Sequence, residues 1–127
     1  MKANLYGSLV WASCGTIQMT DGALTTRAEF DALLAETIEE AIARETAEPG
    51  YPVWGALRRH LERMRDISSG GRVPSRKERD RCLPGTIVTR ELEPMTDVEV
   101  YRFGQRCHEL QYYFQVTLRS PWWRLWA

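Results

Sequence analysis

The stretch Leu83–Glu99, LPGTIVTRELEPMTDVE, decides the fold. Its β-branched run Thr86-Ile87-Val88-Thr89 reads as a strand on propensity alone, whereas its second half reads as the opening of a helix. β-propensity depends strongly on context, and a lone strand here would have no partner to pair with. Pro84 suits a first helical turn, and Leu83, Ile87, Val88 and Leu92 then share one face at helical spacing. The spacing therefore predicts a helix that ends before Pro94, and the join becomes a helix-to-helix corner.

Downstream of that corner, Thr96 with Glu99 predicts a capping box. Val100, Phe103, Cys107, Leu110 and Phe114 follow at steps of three, four, three and four, the seam of a bundle helix that Pro121 ends. Upstream, Thr26 with Glu29 predicts another capping box, and Phe30, Leu33, Leu34, Ile38, Ala41 and Ile42 recur at helical steps. Gly50 and Pro52 in EPGYP stop this helix and start the next. Val53, Trp54, Leu57, Leu61 and Met64 form the stripe of that second helix, which SSGGR closes. The charged run VPSRKERDRC predicts a loop or an exposed helical turn capped by Ser75 and Glu78. The expected architecture is all-α: a small four-helix bundle over residues 25–120, with an N-terminal extended arm (1–24) and an apolar C-terminal tail (121–127).

A chain of 127 residues can bury a core without metal or disulfide staples. Cys14, Cys82 and Cys107 are odd in number, widely spaced and without a CxxC pair, so reduced thiols in the cytoplasm are the expectation. The first residues, MKANLYGSLVWASCG, carry the lysine, apolar run and cysteine of a lipoprotein signal, but Asn4, Gly7 and Ser8 interrupt the run. No later stretch is long enough to span a bilayer. Seventeen basic residues balance seventeen acidic ones, which removes the general electrostatic argument for nucleic acid or an anionic membrane.

Catalytic patterns are thin. His60 and His108 lie in helices, and Cys82, Cys107 and His108 lack metal-ligand spacing, so no metal and no cofactor is expected. Cys107 falls on the apolar seam, where a thiol is an inert small hydrophobe rather than a nucleophile. Glu91, Glu93, Asp97 and Glu99 are better explained as caps and solvated charges than as an acid pair across a pocket. No Gly-rich phosphate loop is present. Charge is instead segregated along the chain: the first helix is rich in glutamate and residues 58–81 in arginine. Two antiparallel helices attracting each other across a solvated face account for this, as does docking on a partner of opposite charge. Trp122, Trp123 and Trp126 have the same two readings, a lid on the bundle end or aromatic anchors for a partner.

EPGYPVWGALRRHLERMRD and LPGTIVTRELEPMTDVEVYRFGQRCHELQYYF together resemble the small helical immunity proteins that protect bacteria from type VI secretion effectors, in particular the immunity partner of an effector that hydrolyses NAD(P)+. Pro49, Gly50 and Tyr51 match that family's turn between its first two helices. Gly85, Ile87, Val88, Arg90, Glu91, Leu92, Asp97, Tyr112 and Tyr113 match its later pattern, in unbroken order between Thr26 and Leu118. The first 24 residues, the segment Arg72–Arg81 and the tryptophan tail depart from it. The resemblance implies a non-enzymatic cytoplasmic protein that covers the active-site cleft of a cognate toxin. The expected partner-binding residues are Glu36, Glu39 and Glu40, Tyr112, and the tail residues Trp122, Trp123 and Trp126. The alternative is a nucleic-acid-binding or antitoxin-type regulatory module that uses the arginine-rich segment 58–81.

Overall fold

A computed structural model of the chain describes residues 24–118. Within them the fold is all-α, a small helical bundle. α1 spans Arg27–Ala47, α2 Pro52–Ser68, the short α3 Arg76–Arg79, α4 Pro84–Glu91 and α5 Val98–Tyr112, and a π turn continues α5 over Tyr113–Thr117. The β-branched run lies in α4, so helical spacing prevails over strand propensity there.

Local signals set most of the boundaries. Thr26 and Glu29 form the expected capping box, as do Ser75 and Glu78. Pro52 and Pro84 each sit in a first turn, where a missing N–H costs nothing. Gly70 and Gly71 close the turn after α2 with φ of 72° and 80°, a left-handed conformation that side chains disfavour. One cap differs from expectation: Asp97 rather than Thr96 caps α5, its Oδ1 accepting from the amides of Glu99 (2.8 Å) and Val100 (3.4 Å). Aspartate outranks threonine as a cap, and its charge also suits the positive end of the helix.

α1, α2, α4 and α5 run alternately up and down around one core. The Arg27 guanidinium donates to the Ser68 carbonyl, so the start of α1 meets the end of α2. Phe30 stacks on Tyr113 at 4.9 Å between centroids, while Arg44 lies over the Phe103 ring, which sets α1 antiparallel to α5. Phe30, Leu33, Leu34, Ile38, Ala41, Leu57, Leu61, Met64, Phe103, Cys107, Leu110 and Phe114 are buried in this core, as their spacing requires. Val100 is only partly buried. Ile42 is exposed, a correction to the α1 stripe: it lies a further 100° round the helix from Ala41, past the edge of the core face. Leu24 packs against the core from the partly buried margin. The arm up to residue 23 and the tryptophan tail lie outside the described residues.

The corner between α4 and α5 depends on two glycines. A Cβ on Gly85 would stand 2.8 Å from His108 Nδ1 and 3.1 Å from the His108 Cα, and one on Gly104 would stand 2.9 Å from Val88 Cγ1. Replacing Gly85 by alanine gains helix propensity but forces the two backbones apart. Gly85→Ala is expected to lower stability by about 1–3 kcal/mol, measured by urea denaturation. Unchanged or higher stability would show that the corner has room to spare.

Candidate partner-binding surface

The α1 carboxylates split into two sets. Glu40 accepts from Arg44 of its own helix at 2.9–3.0 Å and from the Arg106 guanidinium of α5. Glu45 accepts from Arg58 of α2, which also holds Glu62 at 2.9 Å. That pair lowers the Glu45 carboxyl below its ordinary range, chiefly through the Arg58 hydrogen bond. Glu36 and Glu39, by contrast, are exposed on the outer face, with no cation within 4.0 Å among the described residues. The expected acidic trio is therefore a pair of outward carboxylates beside a third, Glu40, that is committed to holding the bundle together.

The cations of residues 58–81 divide the same way. Arg58 bridges the two helices as the attraction reading anticipates, and Arg72 pairs with Glu78. Arg65, Arg76, Lys77 and Arg81 are exposed with no carboxylate within 4.0 Å among the described residues. Arg63 donates to the Arg81 carbonyl at 2.9 Å, which gathers α2 and the loop before α4 into one basic edge. Tyr112 is 64% exposed, on α5 rather than beside Glu39. Trp122, Trp123 and Trp126 lie outside the described residues.

Sequence reasoning missed the company Tyr112 keeps. Val98, Tyr101 and Val116 are exposed as well, at 60%, 49% and 41%. These positions repeat at helical steps opposite the buried seam, so the signal was a second apolar periodicity in a helix already explained by its first.

The groups that invited a catalytic reading take structural positions. Burial pushes the Cys82 thiol up to about 11 and the fully buried Cys107 thiol higher still, so neither is a thiolate near neutral pH. His60 Nδ1 accepts from the Leu83 amide at 3.1 Å, which fixes its neutral tautomer with the proton on Nε2. His108 Nε2 lies 3.4 Å from Thr89 Oγ1 and 3.9 Å from Glu93, on the α4 side of α5. Among the described residues no three His, Cys, Asp or Glu side chains group closely enough to hold a metal. No described helix is long and apolar enough to cross a membrane. Comparison with protein-family models, curated proteins and solved structures finds no match to this chain.

Two half-buried groups make stability depend on pH with opposite signs. Burial pushes the Glu109 carboxyl up to about 8 from 4.5, and its Oε1 has no hydrogen-bond partner among the described residues. Because the fold favours the protonated acid, this contribution is full below pH 4.5 and is lost as pH rises through about 8. The His60 imidazole is pushed below its ordinary 6.5 by burial first, then by Arg63 and Arg59. Its contribution is full above pH 6.5 and is lost as pH falls through the folded value. Glu109→Gln in dilute protein is expected to match the parent in acid, to exceed it by a margin that grows from about pH 4.5 and to level off above about pH 8, read from urea midpoints across the pH range. A constant gap at every pH would remove the burial account of Glu109.

Proposed function

We propose that this chain is an immunity protein that binds a cognate secreted toxin, an NAD(P)+-hydrolysing effector of a type VI secretion system, and blocks substrate entry to its active site. The observation that carries the reading is the contrast within α1: Glu40 and Glu45 are consumed by internal ion pairs, whereas Glu36 and Glu39 project without a cation within 4.0 Å among the described residues. An unpaired acidic edge on a rigid helix suits a basic rim around an anion-binding cleft, where complementary charge speeds encounter and rejects wrong partners. The bundle holds this edge on its longest helix, which lowers the ordering cost of association. The toxin class is taken from the resemblance to immunity proteins over Thr26 to Leu118.

The test is co-expression with the toxin domain encoded beside the gene, following growth and cellular NAD+. Rescue of both is expected for the parent. Glu36→Lys with Glu39→Lys should weaken toxin binding by at least about tenfold, ~1.4 kcal/mol, with an unchanged melting transition. Retained rescue by that variant would move the interface elsewhere, and absence of rescue by the parent would remove the toxin reading.

A second reading is supported by the basic edge of Arg63, Arg65, Arg76, Lys77 and Arg81, which matches a phosphate backbone as well as an acidic protein. A nucleic-acid module would show affinity falling steeply with salt, with a slope that drops as these cations are replaced.

A further inference from the structure

The outward face of α5 is a second seam. Val98, Tyr101, Gln105, His108, Tyr112 and, in the π turn, Val116 follow at steps of three, four, three, four and four, opposite the buried line of Phe103, Cys107, Leu110 and Phe114. α4 borders the line at His108, where Thr89 and Gly85 stand, and among the described residues Val98, Tyr101, Gln105, Tyr112 and Val116 are left exposed. Isolated exposed apolar residues are ordinary on a monomer, but here four large ones fall on one line roughly 27 Å long at 1.5 Å per residue.

This line reads nearly the same in both directions. From the start of α5 it runs valine, tyrosine, amide; from the far end it runs valine, tyrosine, imidazole. A surface used by two identical subunits about a two-fold axis must be complementary to itself, and a palindromic stripe meets that condition. We infer that α5 pairs antiparallel with α5 of a second copy, about a two-fold axis between Gln105 and His108 that seats Tyr101 of each chain against Tyr112 of the partner subunit. Val98 then packs toward Val116 of the partner subunit at both ends.

The flanking charges fit the same register. Arg102 and Glu109 lie seven residues apart, on one flank of the stripe. Antiparallel helices bring like flanks together, so Arg102 meets Glu109 of the partner subunit between the Tyr101–Tyr112 and Gln105–His108 layers, once on each side of the axis. Parallel pairing would set this flank against the opposite one and keep Arg102 apart from Glu109 of the partner subunit. A formal net charge of zero leaves little long-range repulsion between two copies.

The inference goes beyond the toxin-binding reading and assigns Tyr112 to self-association, leaving Glu36 and Glu39 for the toxin. The full chain should sediment at twice 14.7 kDa at high concentration and dissociate on dilution. Tyr101→Glu and Tyr112→Glu, both at exposed sites, should each weaken self-association by at least about tenfold while the melting transition of dilute protein is unchanged. The register is tested in a Cys14→Ser background by mixing a Tyr101→Cys chain with a Tyr112→Cys chain: oxidation should join position 101 to position 112. A monomer at every concentration, a dimer indifferent to both glutamates, or preferential 101-to-101 cross-linking would each overturn the inference. Loss of neutralisation by Glu36→Lys with Glu39→Lys in a chain that still dimerises would leave it standing, so the two readings fail separately.

Discussion

The bundle depends on how α4 is held. With eight residues, α4 is too short to be stable alone in water, because helix nucleation is costly and few hydrogen bonds offset it. Its neighbours supply what its own sequence lacks. Leu83, at its N-cap position, has no side-chain cap to offer, but the Leu83 amide donates to His60 of α2. The Thr86 amide donates to Gln111 Oε1 of α5 at 3.0 Å, and Gln111 returns a bond to the Thr86 hydroxyl at 3.1 Å. Side chains of two other helices thus satisfy amides that a short helix leaves without partners. Gln111 can do so because Gly85 and Gly104 let the two helices approach at backbone distance. At the other end of α4 the Tyr51 hydroxyl lies 3.4 Å from the Glu91 carbonyl, connecting the Pro-Gly-Tyr turn to the same element.

On the opposite side of the core, charge and aromatic rings join α1, α2 and α5. Arg44 lies 5.1 Å above the Trp54 ring of α2 and 5.9 Å from the Phe103 ring of α5, and its guanidinium holds Glu40, which in turn holds Arg106. Trp54 stands edge-on to Phe103 at 5.6 Å and donates its indole N–H to Glu48 at 2.7 Å. Arginine over an aromatic face keeps its full charge for a carboxylate while its apolar faces pack, a combination that lysine does not offer. This network explains why the acidic residues of α1 are not equivalent. Those turned toward a neighbouring helix are structural, and those turned away are left for whatever the surface binds.

How far the sequence could be read follows from the range of each interaction. Capping boxes, first-turn prolines and apolar stripes act within one turn or one helix, and Thr26, Ser75, Pro52, Pro84 and the α5 seam were legible for that reason. The β-branched run in α4 was resolved by spacing rather than by propensity, since its helix is maintained by partners 23 and 25 residues away. Asp97 displaced Thr96 because two good caps stood side by side and one-residue differences at helix ends rest on local geometry. In the candidate surface, Glu36, Glu39 and Glu40 are alike in sequence. Arg44 one turn on is the one local sign that sets Glu40 apart, and the position of Arg106 across the bundle completes the separation. Tyr112 was legible as a single residue, whereas the stripe it belongs to became visible only once its exposure was known.

The same separation of inward and outward groups gives the surface its organisation. A chain with no formal net charge has no general attraction for polyanions or polycations, yet Glu36 and Glu39 stand exposed on α1, while α2 and the segment before α4 expose Arg65, Arg76, Lys77 and Arg81 against Asp66 and Asp80. Pairing inside the bundle removes Glu40, Glu45 and Glu62 from the acidic side and Arg44, Arg58 and Arg106 from the basic side, so the remainder is more segregated than composition implies. Fields of opposite sign on one small body orient an approaching partner before contact, and the gain falls with ionic strength over a Debye length of about 8–10 Å. The uncharged apolar line on α5 contributes little to such steering, and its free energy comes on contact, from burial. A molecule built this way can keep steering and self-association on different helices, with the half-buried Arg106–Glu40 ion pair and the ring contacts between α1 and α5 fixing the one relative to the other.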